Sequence, residues 1–140
     1  MSTSSASFVH RLLVTCALLV FVAAVPALEI GDTHLLNPKW PPHARLHEAW
    51  QLATNALLGL LATVWTWTPR RFTASCLLGL AITVGFVLAW WLRGLYGGSM
   101  QGTTSAAAGV AGMDPAVLLV HALALLFAWL AVAAVRSRQA

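Results

Sequence analysis

Charge is the scarcest feature of this chain. Only 9% of its 140 residues are Asp, Glu, Lys or Arg, and only 4 are acidic, whereas an ordinary soluble domain carries about 25% charged residues. Hydrophobic residues make up 59% of the chain. A soluble domain of this length exposes too much surface for such a composition, because small domains bury a smaller share of their surface. The composition therefore predicts an integral membrane protein.

Cysteine is also scarce, and the common signatures of soluble enzymes are absent. The two cysteines, Cys16 and Cys76, fall inside apolar stretches, where we expect buried thiols rather than a disulfide or redox pair. The sequence contains no Cys-x-x-Cys, no glycine-rich phosphate loop and no nucleophile elbow. The sequence pI of about 10.1 is explained by membrane topology and anionic lipid, so no nucleic-acid partner is expected.

Long apolar stretches define the fold class. Residues 49–68, 72–92 and 115–135 are each long enough to cross about 30 Å of hydrocarbon as a helix. An earlier apolar stretch could be a first helix, or residues 1–27 could be a cleaved signal peptide, and we expect the helix to be retained. The sequence predicts an all-α integral membrane protein, a four-transmembrane-helix bundle. This single membrane domain, residues 1–140, has helices at about 8–28, 42–68, 72–92 and 115–135, with outer loops 29–41 and 93–114.

The basic residues predict how the bundle is oriented. The larger group would share one side of a four-span bundle: Arg11, Arg70, Arg71, Arg136 and Arg138. The smaller group would share the other side: Lys39, Arg45 and Arg93. Basic residues concentrate on the cytoplasmic side, so both termini are expected in the cytoplasm. The protein would then lie in the cytoplasmic (inner) membrane, with residues 29–41 on the extracytoplasmic side.

A polar segment, residues 34–55, stands out from this apolar background. If its helix begins near Pro42, then His43, His47, Gln51 and Asn55 recur at every fourth residue and form one stripe. Polar side chains are costly in hydrocarbon, so the stripe must face the bundle interior or a contact between subunits of a homo-oligomer. His121, on the fourth predicted helix, could approach the stripe from the opposite side.

Three chemistries are compatible with this stripe. Histidines four residues apart on a helix can share one zinc or copper ion; the predicted metal ligands are His34, His43, His47 and His121, with Glu48 as a further candidate. One histidine could instead bind a haem iron as its axial ligand. His47 with Glu48 or Asn55 could also transfer protons on an apolar substrate without metal. The catalytic candidates are therefore His43, His47, Glu48 and Asn55.

The motif Ala44-Arg45-Leu46-His47 resembles the Ala-Arg-x-His of styrene oxide isomerase, a small four-helix membrane enzyme. Gly85-Phe86 and the sequence Gly112-Met113-Asp114 are further similarities. The resemblance implies that His47 is the axial ligand of haem b, whose ferric iron opens an epoxide as a Lewis acid, and that Asn55 contacts the substrate. Arg45 could pair with a haem propionate or with lipid phosphate.

Several residues depart from that family's pattern. Val87 stands where the family has a tyrosine after the Gly-Phe pair, and Asn55 follows His47 by eight residues rather than six. His34 and His43 have no counterpart in that enzyme. A looser resemblance, to DoxX-type four-helix membrane proteins, covers size and hydropathy and assigns no chemistry.

The leading functional prediction is a membrane-embedded enzyme for a small lipophilic substrate. It would be an isomerase that uses a histidine-ligated haem or metal as Lewis acid. The alternative is a non-catalytic membrane subunit whose stripe only mediates packing between helices or with a partner. The glycine- and alanine-rich segment 94–113 is expected to be either a lid over the site or a plain connector.

Overall fold

The computed structural model describes residues 6–100 and 114–139, and in these ranges it contains helices and no strand. The first helical span comprises α1 (Phe8–Leu19), a π-helical turn (Val20–Ala24) and α2 (Val25–Glu29). The other elements are α3 (Pro42–Trp67), α4 (Phe72–Leu92), a 3-10 turn (Arg93–Leu95) and α5 (Pro115–Gln139). The all-α prediction is confirmed, with four helical spans in the described residues.

Three of these spans are long and apolar enough to cross a membrane. They are Phe8–Glu29, Phe72–Leu95 and Pro115–Ser137. These helices identify the chain as an integral membrane protein, as its composition predicts. The helix α3 is longer, at 26 residues, but it is not among the three because polar residues in its first half lower its hydropathy.

The π-helical turn ends two residues before Pro26. A proline inside a helix donates no backbone hydrogen bond, and its ring crowds the carbonyl four residues earlier. The wider turn at Val20–Ala24 changes the hydrogen-bond register just ahead of that position, and the backbone then continues as α2. The first span therefore reaches Glu29 as one helical path.

The helices pack mainly as neighbours in the chain. α4 packs against both α3 and α5, and α3 packs against α1 and the π-helical turn. In the described residues α3 and α5 make no close backbone approach. The core contains side chains with no solvent exposure from α1, α4 and α5, including Val14, Leu18, Cys76 and Phe127. The first span is thus an integral part of the core.

Two glycines allow close helix contacts. A Cβ atom at Gly79 would lie 2.6 Å from ring atoms of Phe127, and one at Gly59 would lie 2.7 Å from Cγ2 of Val22. Such distances are far shorter than van der Waals contact, so only glycine fits at these positions without a shift. Small residues have this role in many membrane helix pairs. Gly79 brings α4 and α5 together, and Gly59 brings α3 against the π-helical turn.

Polar side chains join the ends of α1, α3 and α4. Arg11 donates hydrogen bonds to the carbonyl oxygens of Ala6 and Thr66, and its guanidinium lies 5.7 Å from the centre of the Phe72 ring. The hydroxyls of Thr66 and Ser75 are 2.6 Å apart and fully buried. Because the last carbonyls of a helix lack partners within the helix, Arg11 stabilises the carboxyl end of α3.

Asp114 caps α5, as the Asp-Pro pair predicts. Its carboxylate accepts a hydrogen bond of 2.8 Å from the backbone N–H of Ala116. Most of the connection that precedes it, residues 101–113, lies outside the described residues. Most of the predicted lid, residues 94–113, and the Gly112-Met113 pair that resembles styrene oxide isomerase fall in that segment.

Candidate functional site

A structured turn sets the position of the first histidine on α3. The side chain of Asn37 is buried, and its Oδ1 accepts a hydrogen bond of 2.9 Å from the backbone N–H of Lys39. The N–H of Trp40 donates to the carbonyl oxygen of Asn37 over 3.1 Å. Pro41 is extended and α3 starts at Pro42, since proline is tolerated in the first helical turn. The sequence predicts this start, and it places His43 in the first turn.

His43 and His47 face each other along α3. Their Nε2 atoms are 3.0 Å apart, so one nitrogen donates a hydrogen bond and the other accepts it. The ring centres are 4.4 Å apart, in an edge-to-face arrangement. Both side chains are exposed on the surface of the chain. The fourfold spacing therefore brings two imidazoles together as predicted, and it leaves them exposed on the surface of α3.

The stripe continues below this pair. The amide nitrogen of Gln51 donates to Oδ1 of Asn55 over 3.2 Å. Gln51 is exposed and Asn55 is half-buried. Successive residues turn by about 100° around a helix, so positions four apart drift by about 40°. Asn55 lies beside the buried face of α3, and each earlier member of the stripe lies further out.

His34 belongs to a separate group in the outer loop. Its Nε2 lies 3.3 Å from the Glu29 carboxylate, and its Nδ1 lies 2.9 Å from the hydroxyl of Thr33. The ring of Trp40 covers it edge-on, with 5.9 Å between ring centres. Both nitrogens of His34 thus have partners close to it in sequence, and none of these partners belongs to the stripe.

The pKa of the Glu48 carboxyl depends on burial and on the charges of Glu29 and His34. It precedes the apolar stretch 49–68 and is half-buried, and burial raises the pKa of its carboxyl above the ordinary value. The nearby charge of Glu29 raises this pKa further, and His34 lowers it. Glu48 follows His47 by one residue and therefore points about 100° away from it around the helix. Its electrostatic partners are in the loop rather than in the stripe.

His121 is held at a different helix contact. Its Nε2 accepts a hydrogen bond of 3.2 Å from the indole N–H of Trp91, and its Nδ1 lies 2.7 Å from the carbonyl oxygen of Val117. A carbonyl can only accept, so Nδ1 is the donor in this second hydrogen bond. Both nitrogens are occupied within the α4–α5 pair, and α5 does not approach α3 in the part of the chain described.

Arg45 is half-buried in the first turns of α3, where its backbone N–H donates to the carbonyl oxygen of Pro41 over 3.2 Å.

Phe86 of the Gly85-Phe86 motif lines a shallow groove at the outer end of α4. In that groove the guanidinium of Arg93 lies 3.7 Å from the centre of the Trp90 ring, and the hydroxyl of Tyr96 donates to the carbonyl oxygen of Ala89 over 2.6 Å. Neither His43 nor His47 lines this groove.

The four predicted metal ligands are therefore distributed over three places. Among residues 6–100 and 114–139, no three His, Cys, Asp or Glu side chains form a group that could hold a metal ion. His43 and His47 alone meet. Two imidazole nitrogens bound to one tetrahedral zinc ion, at about 2.0–2.1 Å each, are separated by about 3.3 Å. The 3.0 Å between these Nε2 atoms is close to that separation.

Two tryptophans, Trp50 and Trp91, contact predicted site residues without being among them. The ring of Trp50 lies 5.9 Å from that of His47, and Trp91 donates to His121. Trp50 follows His47 by three residues, a spacing that makes neighbours on a helix, so periodicity could have indicated it. No local pattern links Trp91 to His121, because their contact joins two helices.

Comparison with known proteins gives no match: no family model, no curated protein and no solved structure is significantly similar to this chain. The resemblance to styrene oxide isomerase therefore rests on the short motifs in the sequence alone. The functional conclusion has to come from the geometry of α3 and its neighbours.

Proposed function

We propose that all four helical spans cross the inner membrane, with both termini in the cytoplasm and the His43–His47 pair on the extracytoplasmic side. The length of α3 supports this: 26 residues extend for about 39 Å, which exceeds the hydrocarbon thickness of about 30 Å. Its inner end is joined to α4 by a turn of only four residues, 68–71. If Trp67 lies at the inner interface, the first two turns of α3 extend into the outer headgroup region.

We infer that His43 and His47 bind a metal ion and that the protein is a membrane enzyme, an isomerase of a small lipophilic molecule. The observation that carries this inference is the convergence of the two Nε2 atoms at 3.0 Å on an exposed helix face. A zinc or copper ion there would supply Lewis acidity, which polarises an epoxide or carbonyl oxygen. Isomerisation needs no co-reactant, since substrate and product contain the same atoms.

The pair as it is arranged fits a small ion better than a haem. An axial histidine needs the space beyond its bound nitrogen for the iron and the porphyrin ring. In this structure that space is taken by the Nε2 of His43, which lies within hydrogen-bonding distance of the Nε2 of His47. Haem b would fit on His47 only after His43 turned away, and an absorbance spectrum tests whether it binds.

The surroundings of the pair favour an apolar substrate. Leu46 and Trp50 flank His47, and their side chains are 65% and 66% exposed, so a molecule dissolved in the outer leaflet can reach the pair from the side. Gln51 lies about 6 Å further along the helix and is the nearest amide below the pair. Asn55 lies about 12 Å along the helix from His47, so it would contact only a substrate of that length.

A second candidate function is packing without catalysis. The hydrogen bond between Gln51 and Asn55 favours it, because these amides would lie at hydrocarbon depth, where Gln51 is exposed and Asn55 is half-buried among the described residues. Polar side chains of this kind join helices in membranes through interhelical hydrogen bonds. Under this alternative, the stripe would bind another polypeptide, and the histidines would only contribute hydrogen bonds.

The test combines elemental analysis, an absorbance spectrum and turnover of the protein purified in mild detergent. We expect stoichiometric zinc or copper, retained by His34→Ala and lost in His47→Ala. The wild type and His34→Ala should convert a lipophilic epoxide to its carbonyl isomer, and His47→Ala should not. A Soret band that disappears in His47→Ala would replace the metal ion with haem. A colourless, metal-free protein without turnover would overturn the enzyme and leave the packing function.

A further inference from the structure

We propose that the metal site lies between two copies of this chain, with His43 and His47 of each copy supplying two of four imidazole ligands. This inference rests on the proposed function and specifies how its site is completed. A metal site needs more ligands than one histidine pair provides. Zinc sites in proteins are almost always four-coordinate when structural, and catalytic sites keep three protein ligands. One chain supplies two.

The missing ligands do not come from the described part of the same chain. No third His, Cys, Asp or Glu joins the pair there. His34 is engaged with Glu29 and Thr33, and His121 is engaged with Trp91 and Val117. The open side of the pair faces away from the bundle, because both histidines are exposed. Residues 1–5, 101–113 and 140 contain no His, Cys, Asp or Glu, so the remaining ligands have to approach from outside the chain.

The amides of the stripe below the histidine pair indicate what kind of surface covers this face of α3. Gln51 and Asn55 extend into the outer half of the membrane, and Gln51 is exposed there. An uncovered amide in hydrocarbon costs free energy, so the covering surface must offer hydrogen bonds at the same depth. The stripe itself carries no formal charge, and each of its amides both donates and accepts. Such a surface is complementary to a second copy of itself.

The symmetry of two copies in one membrane determines which residues face each other. Two copies in one membrane have the same orientation, so a two-fold axis between them runs along the membrane normal. An isologous contact across this axis places each residue opposite a residue of the same depth. The histidine pair of one copy would face the histidine pair of its partner, and the amide pair would face the amide pair. A metal ion on the axis would receive two imidazoles from each side, and a substrate oxygen would be its fifth ligand, since catalytic zinc can expand to five-coordination.

The experiment measures metal stoichiometry and association together. Metal-free full-length protein in detergent is titrated with zinc and, separately, with copper, while native mass spectrometry and sedimentation record the number of chains. We expect one ion per two chains, and a dimer whose dissociation constant rises more than tenfold when a chelator removes the ion. His43→Ala and His47→Ala should each abolish the ion-dependent dimer, whereas His34→Ala should leave it unchanged.

A second variant tests the lower part of the interface. Gln51→Leu keeps both histidines, and we expect it to weaken the dimer severalfold with the ratio of one ion to two chains retained. One ion bound by a monomer, or a dimer that the ion does not affect, would overturn this inference and leave the metal site of the proposed function intact. Absence of any bound ion would overturn both proposals.

Discussion

The indole N–H of Trp91 donates a hydrogen bond of 3.2 Å to Nε2 of His121, and this bond assigns His121 to the α4–α5 contact. The other ring nitrogen lies 2.7 Å from the carbonyl oxygen of Val117. Because both nitrogens are occupied, His121 would have to break two hydrogen bonds before it could bind a metal or move a proton. His121, which the sequence predicts as a metal ligand, therefore has a structural role in the contact between α4 and α5.

Replacement of His121 by Phe is expected to lower the stability of the bundle and leave metal binding unchanged. Loss of the Trp91 hydrogen bond should cost about 0.5–1.5 kcal/mol in the free energy of unfolding. Trp91→Phe removes the same bond, so the double variant should be less destabilised than the sum of the single variants. Denaturant unfolding in detergent measures all three. Strict additivity would contradict the contact.

Gly79→Ala is expected to destabilise the α4–α5 contact by about 1–3 kcal/mol, because overpacking forces a buried ring to move. The added Cβ would lie 2.6 Å from ring atoms of Phe127, which has no solvent exposure. Gly85→Ala on the same helix is the matched control, since nothing lies within 4 Å of its Cβ position. Thermal unfolding in one detergent compares the two variants. Equal melting temperatures would show that the contact is looser than described.

Arg11→Gln should destabilise the protein more than Arg136→Gln. Arg11 donates to two backbone carbonyl oxygens and lies over the Phe72 ring, whereas Arg136 is exposed on α5. Hydrogen bonds from a charged group contribute about 1.5–3 kcal/mol, and a surface charge contributes much less. The measurement is the free energy of unfolding in detergent for both variants. A larger loss in Arg136→Gln would contradict the role of Arg11.

The proposed orientation predicts which positions a membrane-impermeant thiol reagent can label in intact cells. In a background where Cys16 and Cys76 are replaced by Ala, Asp32→Cys in the outer loop should react. Pro69→Cys in the inner turn should react only after the membrane is permeabilised. Both positions are exposed in the structure, so burial does not separate them. The opposite labelling pattern would reverse the orientation, and labelling of both would exclude a crossing by α3.

The sequence predicts where the helices begin and end, but it does not predict which face of each helix is buried. Long apolar stretches, the prolines before α3 and the Asp114 cap place the helix ends within one residue of those observed, except that α5 continues to Gln139. These signals act over a few neighbouring residues. Which side of α3 becomes buried depends on how α1 and α4 pack against it, and sequence periodicity leaves that rotation open.

The same limit applies to the site. Spacing of four residues predicts that His43 and His47 meet, because that contact lies within one helix turn. It leaves open whether the stripe faces the interior of the bundle or another subunit, and the exposure of His43, His47 and Gln51 favours the second alternative. The assignment of His34 to Glu29 and of His121 to Trp91 requires contacts with other elements, which no local pattern encodes.

The most direct test of the central claim is a zinc titration of the metal-free protein and of single alanine variants at His34, His43, His47 and His121. Our account predicts that the variants at His43 and His47 each lose at least about 100-fold in affinity, because they remove a ligand itself, while those at His34 and His121 bind as the wild type does. Equal losses in all four variants, or unchanged affinity in His43→Ala and His47→Ala, would contradict it.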